Sequence, residues 1–369
     1  MKVGKVQITT LLRIVKIIQL TLTIVLLIVI IQILTAPSYS TILLFLSTVL
    51  SYSLSIFMMG LLASRFFSWF KSYKNMVILF YSLAASALVV NTGLIFAISM
   101  SILPDAPAQV GEHVANLARI LIEPLQVTLI DLNTVTSILS FFLIWCATSL
   151  LLHQHARKIG RAKYWILVSL PLVYFISQFP TTFLRIFADL LVSNPALYGV
   201  ILTVIFFLSK TVGGIFFGIA FWTVSRYLSQ DNPARKYMVM SFFGLVLFFV
   251  SNQAFTVMIN LPYPPFGLPT IMFTGLSSYL VFVGIYSSAI SVAGDTKLRQ
   301  SVKKFAMDEI KFLGNIGTAQ MEDDLQKRVM TLVKAQANKF LSESGVSSSL
   351  SDEDVKEYLG EVLAEIRNP

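Results

Sequence analysis

The chain is poor in charge. Aspartate, glutamate, lysine and arginine make up 13% of its 369 residues, while 56% are hydrophobic and the mean hydropathy is +0.76. A soluble domain carries about 25% charged residues. An ordinary globular domain is therefore excluded, and the composition is that of a chain crossing a membrane many times. Cysteine is nearly missing. The single Cys146 lies in an apolar run, so no intrachain disulfide can form and no cysteine-based metal cluster is expected; it reads as a small core residue. No histidine follows residue 155, which removes a phospho-accepting histidine from the C-terminal part. His153 and His155 diverge on a helix and make a poor metal pair. There is no G-x-x-x-x-G-K-[ST] loop, no H-E-x-x-H and no G-x-S-x-G, and these absences argue against an enzyme. No cofactor and no metal are expected.

The charge that is present is unevenly spread. Residues 1–292 hold 17 basic and 6 acidic residues, whereas 293–369 hold 11 and 13. The first part reads as a transmembrane domain and the second as a helical cytoplasmic tail. Long apolar runs predict an all-α bundle of eight transmembrane helices near 12–34, 40–63, 76–100, 131–152, 164–183, 197–223, 237–260 and 269–292. Basic residues fall almost wholly on one side of this scheme, among them Lys2, Arg65, Lys71, Lys74, Arg157, Arg161, Arg226 and Arg235. The other side has only Arg119 and Arg185, together with Asp105, Glu112, Glu123, Asp131 and Asp189. The positive-inside rule then makes both termini cytoplasmic, in a cell membrane. It also accounts for the formal net charge of +9 without invoking nucleic acid. An uncleaved first helix is preferred, because Ala36-Pro37 is a poor cleavage site; its removal would leave seven helices, a receptor-like topology.

Two connections have character of their own. Residues 108–123 alternate a polar row (Gln109, Glu112, Asn116, Arg119) with an apolar one (Val110, Val114, Leu117, Leu121), which predicts an amphipathic surface helix. The stretch "LPYPPFGLP" at 261–269 predicts a stiff loop. No internal repeat is visible, which lowers the expectation of a repeat-built transporter.

One charge lies inside a predicted span. Lys210 is about 13 residues from either end of its run and so near mid-membrane. Such a lysine costs at least ~2.5–3.5 kcal/mol and should face protein or water. Gly214 and Gly218 follow at i+4 and i+8 on the same face, a spacing that lets a neighbouring helix approach closely. Asn91, Gln178 and Asn252 fall at similar depth, with Gln253 beside Asn252 and Ser51, Ser55 and Asn133 also polar. These positions predict a ligand-binding polar cavity opening outward, with Lys210 at its floor. The alternative is interhelical hydrogen bonding with no ligand. A retinal Schiff base is disfavoured, since the spans hold no acidic residue at mid-depth.

The tail begins with Lys297, Arg299, Lys303 and Lys304, which suit anionic lipid headgroups. Met321, Leu325, Val329, Leu332, Val333 and Phe340 then form one helical stripe over 319–341, and Val355, Leu359, Val362, Leu363 and Ile366 another over 352–366, separated by "SESGVSSSLS". These stripes need a partner: each other, a second copy of the chain, or a cytoplasmic protein. The tail has no membrane segment and is expected to be separable from the body.

The stretch "VGIYSSAISVAGDTKLRQSVKK" followed by "LGNIGTAQMEDDLQKRV" resembles the membrane-exit segment of uncharacterised multi-pass membrane proteins of archaea of the ammonia-oxidising lineage. The resemblance covers about 40 residues of the 369. It implies an archaeal membrane protein with a small helical tail and brings no activity or site residues. The reading that results is a non-catalytic membrane sensor or signalling component. A transporter or channel for a small solute, and a structural subunit of a membrane complex, are the alternatives.

Overall fold

The computed structural model describes residues 2–35, 40–102, 124–153, 160–177, 189–190, 192–228, 232–258, 267–294 and 316–333. The described residues are helical apart from short caps and turns. They comprise α1 (Lys2–Thr35), α2 (Thr41–Tyr73), α3 (Met76–Ile102), α4 (Pro124–His153), α5 (Arg161–Ser177), α6 (Pro195–Tyr227), α7 (Pro233–Met258), α8 (Gly267–Gly294) and α9 (316–333). A helix falls on each predicted apolar run. Six of them, α1 to α4, α7 and α8, are long and apolar enough to cross a membrane, with mean hydropathies from 1.4 to 2.8. The protein is thus a helical, multi-pass membrane protein in contact with a lipid bilayer. The amphipathic segment at 108–123 and most of the proline-rich loop lie outside the described residues.

Six helices close a ring. α2 packs on α3, α3 on α4, α4 on α6, α6 on α7, α7 on α8, and α8 on α2 again. Successive members run antiparallel where their connections are short. Between α2 and α3 only Lys74 and Asn75 intervene. Lys74 takes a left-handed conformation (φ 33°) and its N–H donates to the Phe70 carbonyl, while the Asn75 side chain accepts from the Val77 N–H at 2.8 Å. These bonds satisfy helix-end groups that would otherwise be orphaned. Of the other three helices, α1 lies outside the ring against α2 and α8, and α5 against α4 and α6, while α9 meets the ends of α2 and α8.

The exterior is apolar, unlike that of a soluble bundle. The outer helices present large apolar side chains, such as Ile17 at 64% exposure and Trp165 at 63%, and α2 and α3 add Phe57 and Val90. Buried positions include many hydroxyls, among them Ser47, Ser51, Ser55, Thr92, Thr148, Thr274 and Ser278. Hydrocarbon tolerates the first pattern, and helix neighbours or the i−4 carbonyl satisfy the second. Thr48, Thr92 and Thr274, for example, bond to the carbonyls of Leu44, Leu88 and Thr270.

The ring has no open centre at the level of Phe66 and Tyr81. A pocket of about 20 Å³ remains there, walled by Met59, Phe66, Tyr81, Ile144, Phe221, Leu245 and Val281, with residues from all six ring helices. That volume admits a water by size, but a water needs two or more polar partners. Tyr81 supplies the only hydroxyl among these side chains and directs it to Thr148. At this level the ring is filled chiefly by apolar side chains. Phe66, Tyr81 and Phe221 stack or meet edge-on across it at centroid distances of 5.8 and 5.9 Å.

The ends of α2, α4, α6 and α8 gather with the starts of α3, α5 and α7. Lys71, Lys74, Arg161, Lys163, Arg226, Arg235 and Lys236 collect there, and this is the basic end of the molecule.

Candidate functional site

The polar residues predicted to line a cavity are engaged between helices wherever their side chains are described. Asn91 of α3 is buried. Its amide group donates to the Asn133 carbonyl at 3.1 Å, to the Asn133 side chain at 2.8 Å and to Thr136 at 3.2 Å, all on α4. Ser51 accepts from the Gly275 N–H at 3.2 Å, and Ser55 lies 2.6 Å from Ser278. Thr270 donates to the Ser251 carbonyl at 2.8 Å. These bonds join α3 to α4, α2 to α8 and α7 to α8. Lys210 falls within α6, and Asn252 and Gln253 within α7; their side chains lie outside the described residues, as does Gln178 altogether.

Backbone register relates three of those positions. Gly214 and Gly218 both face α7. A Cβ added at Gly214 would stand 2.9 Å from the Phe249 Cβ and 3.3 Å from the Val246 Cα; at Gly218 it would meet the Phe242 ring at 2.6 Å. The two helices are thus in near contact, with positions on α6 rising as those on α7 fall. Continued by one turn, the same antiparallel register sets position 210 opposite positions 250–253, where Asn252 and Gln253 occur.

The basic end holds a second constellation, and here the side chains are in full view. α2 does not stop at residue 63 but continues to Tyr73, because "SRFFSWFKSY" contains no helix breaker. Arg65 and Trp69 therefore lie one turn apart on its last stretch. The Trp69 indole N–H donates to the Gln320 side-chain carbonyl at 3.1 Å, and Arg65 Nη1 lies 3.3 Å from Asp323 Oδ2. Gln320 and Asp323 are successive inward positions on α9. The Arg65 guanidinium also sits 5.3 Å from the centre of the Tyr286 ring on α8, a distance at which a cation is drawn to the ring face. Lys327 reaches the same Asp323 carboxylate, and Gln320 completes its amide with Asp324 at 3.1 Å.

Apolar contacts close the joint. Ile316 and Ala319 are fully buried and belong to the same core cluster as Trp69, Ala289 and Val292. Gly317 lies so close to α8 that a Cβ there would meet Val292 at 2.6 Å. The first two turns of α9 are therefore continuous with the packed interior. The face that packs differs from the predicted stripe. Ile316, Ala319, Gln320 and Asp323 turn inward, whereas Leu325 and Leu332 turn out. Hydrophobic spacing alone cannot find a face whose anchors are an amide and a carboxylate.

The lipid-contacting stretch predicted at Lys297, Arg299, Lys303 and Lys304 lies outside the described residues. Among the described residues no group of histidine, cysteine and carboxylate side chains has the arrangement of a metal site. His153 is exposed and meets the Tyr164 ring edge-on. Comparison with family models, with curated proteins and with solved structures finds no match to this chain.

Proposed function

We propose that this multi-pass membrane protein is a non-catalytic sensor or signalling component, whose membrane body passes its state to α9 and the residues beyond it. The observation that carries the reading is the joint at the basic end. Arg65 and Trp69 sit on a ring helix, and Arg65 reaches Tyr286 on a second, while both side chains hold α9. A shift of α2 against α8 would move both anchors together, so α9 is placed to follow the ring.

In this reading all eight long helices cross the membrane, α5 and α6 included. Both termini and the basic end are cytoplasmic, in a cell membrane, in keeping with the positive-inside rule. The input site lies in the other half, where Lys210 on α6 and Asn252 and Gln253 on α7 share one level. A lysine flanked by amides suits a small anion or carboxylate. The apolar packing at the level of Phe66 and Tyr81 favours a sensor over a transporter, because the described side chains offer no polar path at that level. The archaeal membrane family suggested by the tail sequence fits the same arrangement without specifying a ligand.

Lys210→Met tests the input site. Thermal melts in detergent with acetate, nitrate or phosphate should show stabilisation of the parent by at least one of these anions and none in the variant. The variant's own melting temperature should hold or rise, since a charge that costs at least ~2.5–3.5 kcal/mol to bury has been removed. A clear fall in melting temperature with the anion response intact would show that the lysine is structural and would overturn the proposed site.

A further inference from the structure

The six ring helices are not joined equally. The turn at Lys74 and Asn75 and the stacked rings of Phe66 and Tyr81 hold α2 to α3, and Asn91 bonds α3 to α4. Glycines draw α6, α7 and α8 together, Gly214 and Gly218 in the first contact and Gly244 and Gly284 in the second. Two seams remain between these three-helix units, and they lie on opposite sides of the ring. One is α8 against α2. The other is α4 against α6, the sparsest contact in the ring among the described residues.

Phe141 of α4 fills the sparse seam. It is buried, and its ring meets Phe217 of α6 edge-on at a centroid distance of 5.1 Å. Gly213 makes the seat, because a Cβ there would stand 2.6 Å from Phe141 Cε2. The same ring stacks on Phe175 of α5 at 3.8 Å. α5 straps the outside of the seam. Trp145 Nε1 of α4 donates to the Val168 carbonyl at 2.9 Å, the Tyr164 hydroxyl donates to the Ser149 carbonyl at 3.1 Å, and α5 also packs on α6.

The α2/α8 seam is built otherwise. Ser51 accepts from the Gly275 N–H, and Ser55 lies against Ser278. Small side chains let two backbones approach closely, and a close contact of this kind can serve as a pivot. α9 sits at the basic end of this seam, bonded to Arg65 and Trp69 of α2 and set against Val292 of α8.

We propose that the ring consists of two three-helix units that turn against each other about the α2/α8 seam, and that Phe141 is the bolt that holds the opposite seam shut. α9 lies across the pivot, so its seat changes with the angle between the units. The proposal goes beyond the sensor reading and stands whether or not an anion binds near Lys210.

The test uses the full-length protein with Cys146→Ser, in detergent, spin-labelled in pairs at exposed positions near the basic end. Leu150→Cys with Arg226→Cys spans the bolted seam. Met76→Cys with Leu150→Cys stays within the first unit, and Arg226→Cys with Lys236→Cys within the second. Phe141→Ala empties the seat. The first distance should then lengthen by about 3–5 Å, as for a turn of about 10–15° across a ring about 20 Å wide, while the other two hold. Adding Gly213→Leu refills the seat and should return the distance to that of the parent. If Phe141→Ala does not elute as a single species, Phe141→Leu carries the same comparison with a smaller lengthening. Equal distances with and without the Phe141 ring would overturn the proposal. So would lengthening of all three pairs alike, which marks a general loosening, or lengthening that Gly213→Leu leaves in place, which puts the effect outside the seat.

Discussion

The contact between α7 and α8 and the contact between α9 and the ring are both close, but they differ in how much of each is polar. Between α7 and α8 it is missing side chains that permit the approach. A Cβ at Gly284 would run into the Ser241 hydroxyl and stand 2.7 Å from the Tyr237 carbonyl; at Gly244 it would stand 2.8 Å from the Val281 backbone nitrogen. Lipid is as apolar as leucine, so helices within it gain little from hiding apolar surface and gain chiefly from van der Waals fit. At the basic end Gly317 also comes close to Val292, and Ile316 and Ala319 are buried, but an indole, an amide, a guanidinium and a carboxylate are added to the contact. Such bonds are directional and individually modest. The first contact rests on close backbone approach, and the second adds directional polar bonds to it.

Substitution at the glycines should break the first contact. Gly284→Leu has no room against backbone atoms of α7, and overpacking costs about 3 kcal/mol or more where neighbours cannot yield. The expected outcome is loss of a monodisperse species in detergent or a large fall in melting temperature. Gly60→Ala is the control, because a Cβ at Gly60 meets nothing within 4 Å; it should hold or raise stability by up to about 1 kcal/mol through helix propensity.

Substitution at the joint should loosen α9 and leave the ring intact. Trp69→Phe keeps the aromatic packing and strips Gln320 of its donor, at about 1–3 kcal/mol for the buried carbonyl left unpaired. Limited proteolysis within 316–333 should quicken while the main melting transition moves little. Adding Gln320→Leu should recover most of the loss, since no polar group then remains unpaired.

The smallest expected effect belongs to the ion pair. Arg65 and Asp323 are 34% and 21% exposed, so Asp323→Asn should weaken the docking by about 0.2–1 kcal/mol. The deficit should be measurable in dilute buffer and shrink at high salt, as screening weakens the pair in the parent. A loss that salt does not alter would place the role of Asp323 in hydrogen bonding rather than in charge.

The two contacts were not equally legible in the sequence. Apolar runs locate α1 to α8, and for the six long enough to cross a membrane hydrocarbon imposes the length and the composition. The pairing of Gly214 and Gly218 with a close neighbour is visible as a four-residue spacing. Gly244 and Gly284 have no such companion glycine, and their role emerges only when α7 and α8 are set side by side. Arg65 read as a loop charge fixing orientation, because the apolar window stops before it; the helix runs ten residues past the predicted end of its span and turns that charge into an anchor. Asn91 read as one of several polar positions at one depth, and its side chain bonds α3 to α4 through Asn133 and Thr136. A sequence shows that a polar group lies in a span, but not which neighbour satisfies it.

Hydrogen exchange on the full-length protein in detergent tests the joint most directly, because it reports on α9 and the ring in one measurement. If α9 is seated as described, amides at 319–323 exchange nearly as slowly as those in the last turns of α8, and Trp69→Phe accelerates the former without the latter. Exchange throughout 316–333 at the rate of an unstructured chain, with α8 still protected, would contradict the docking and with it the route from the membrane body to the tail.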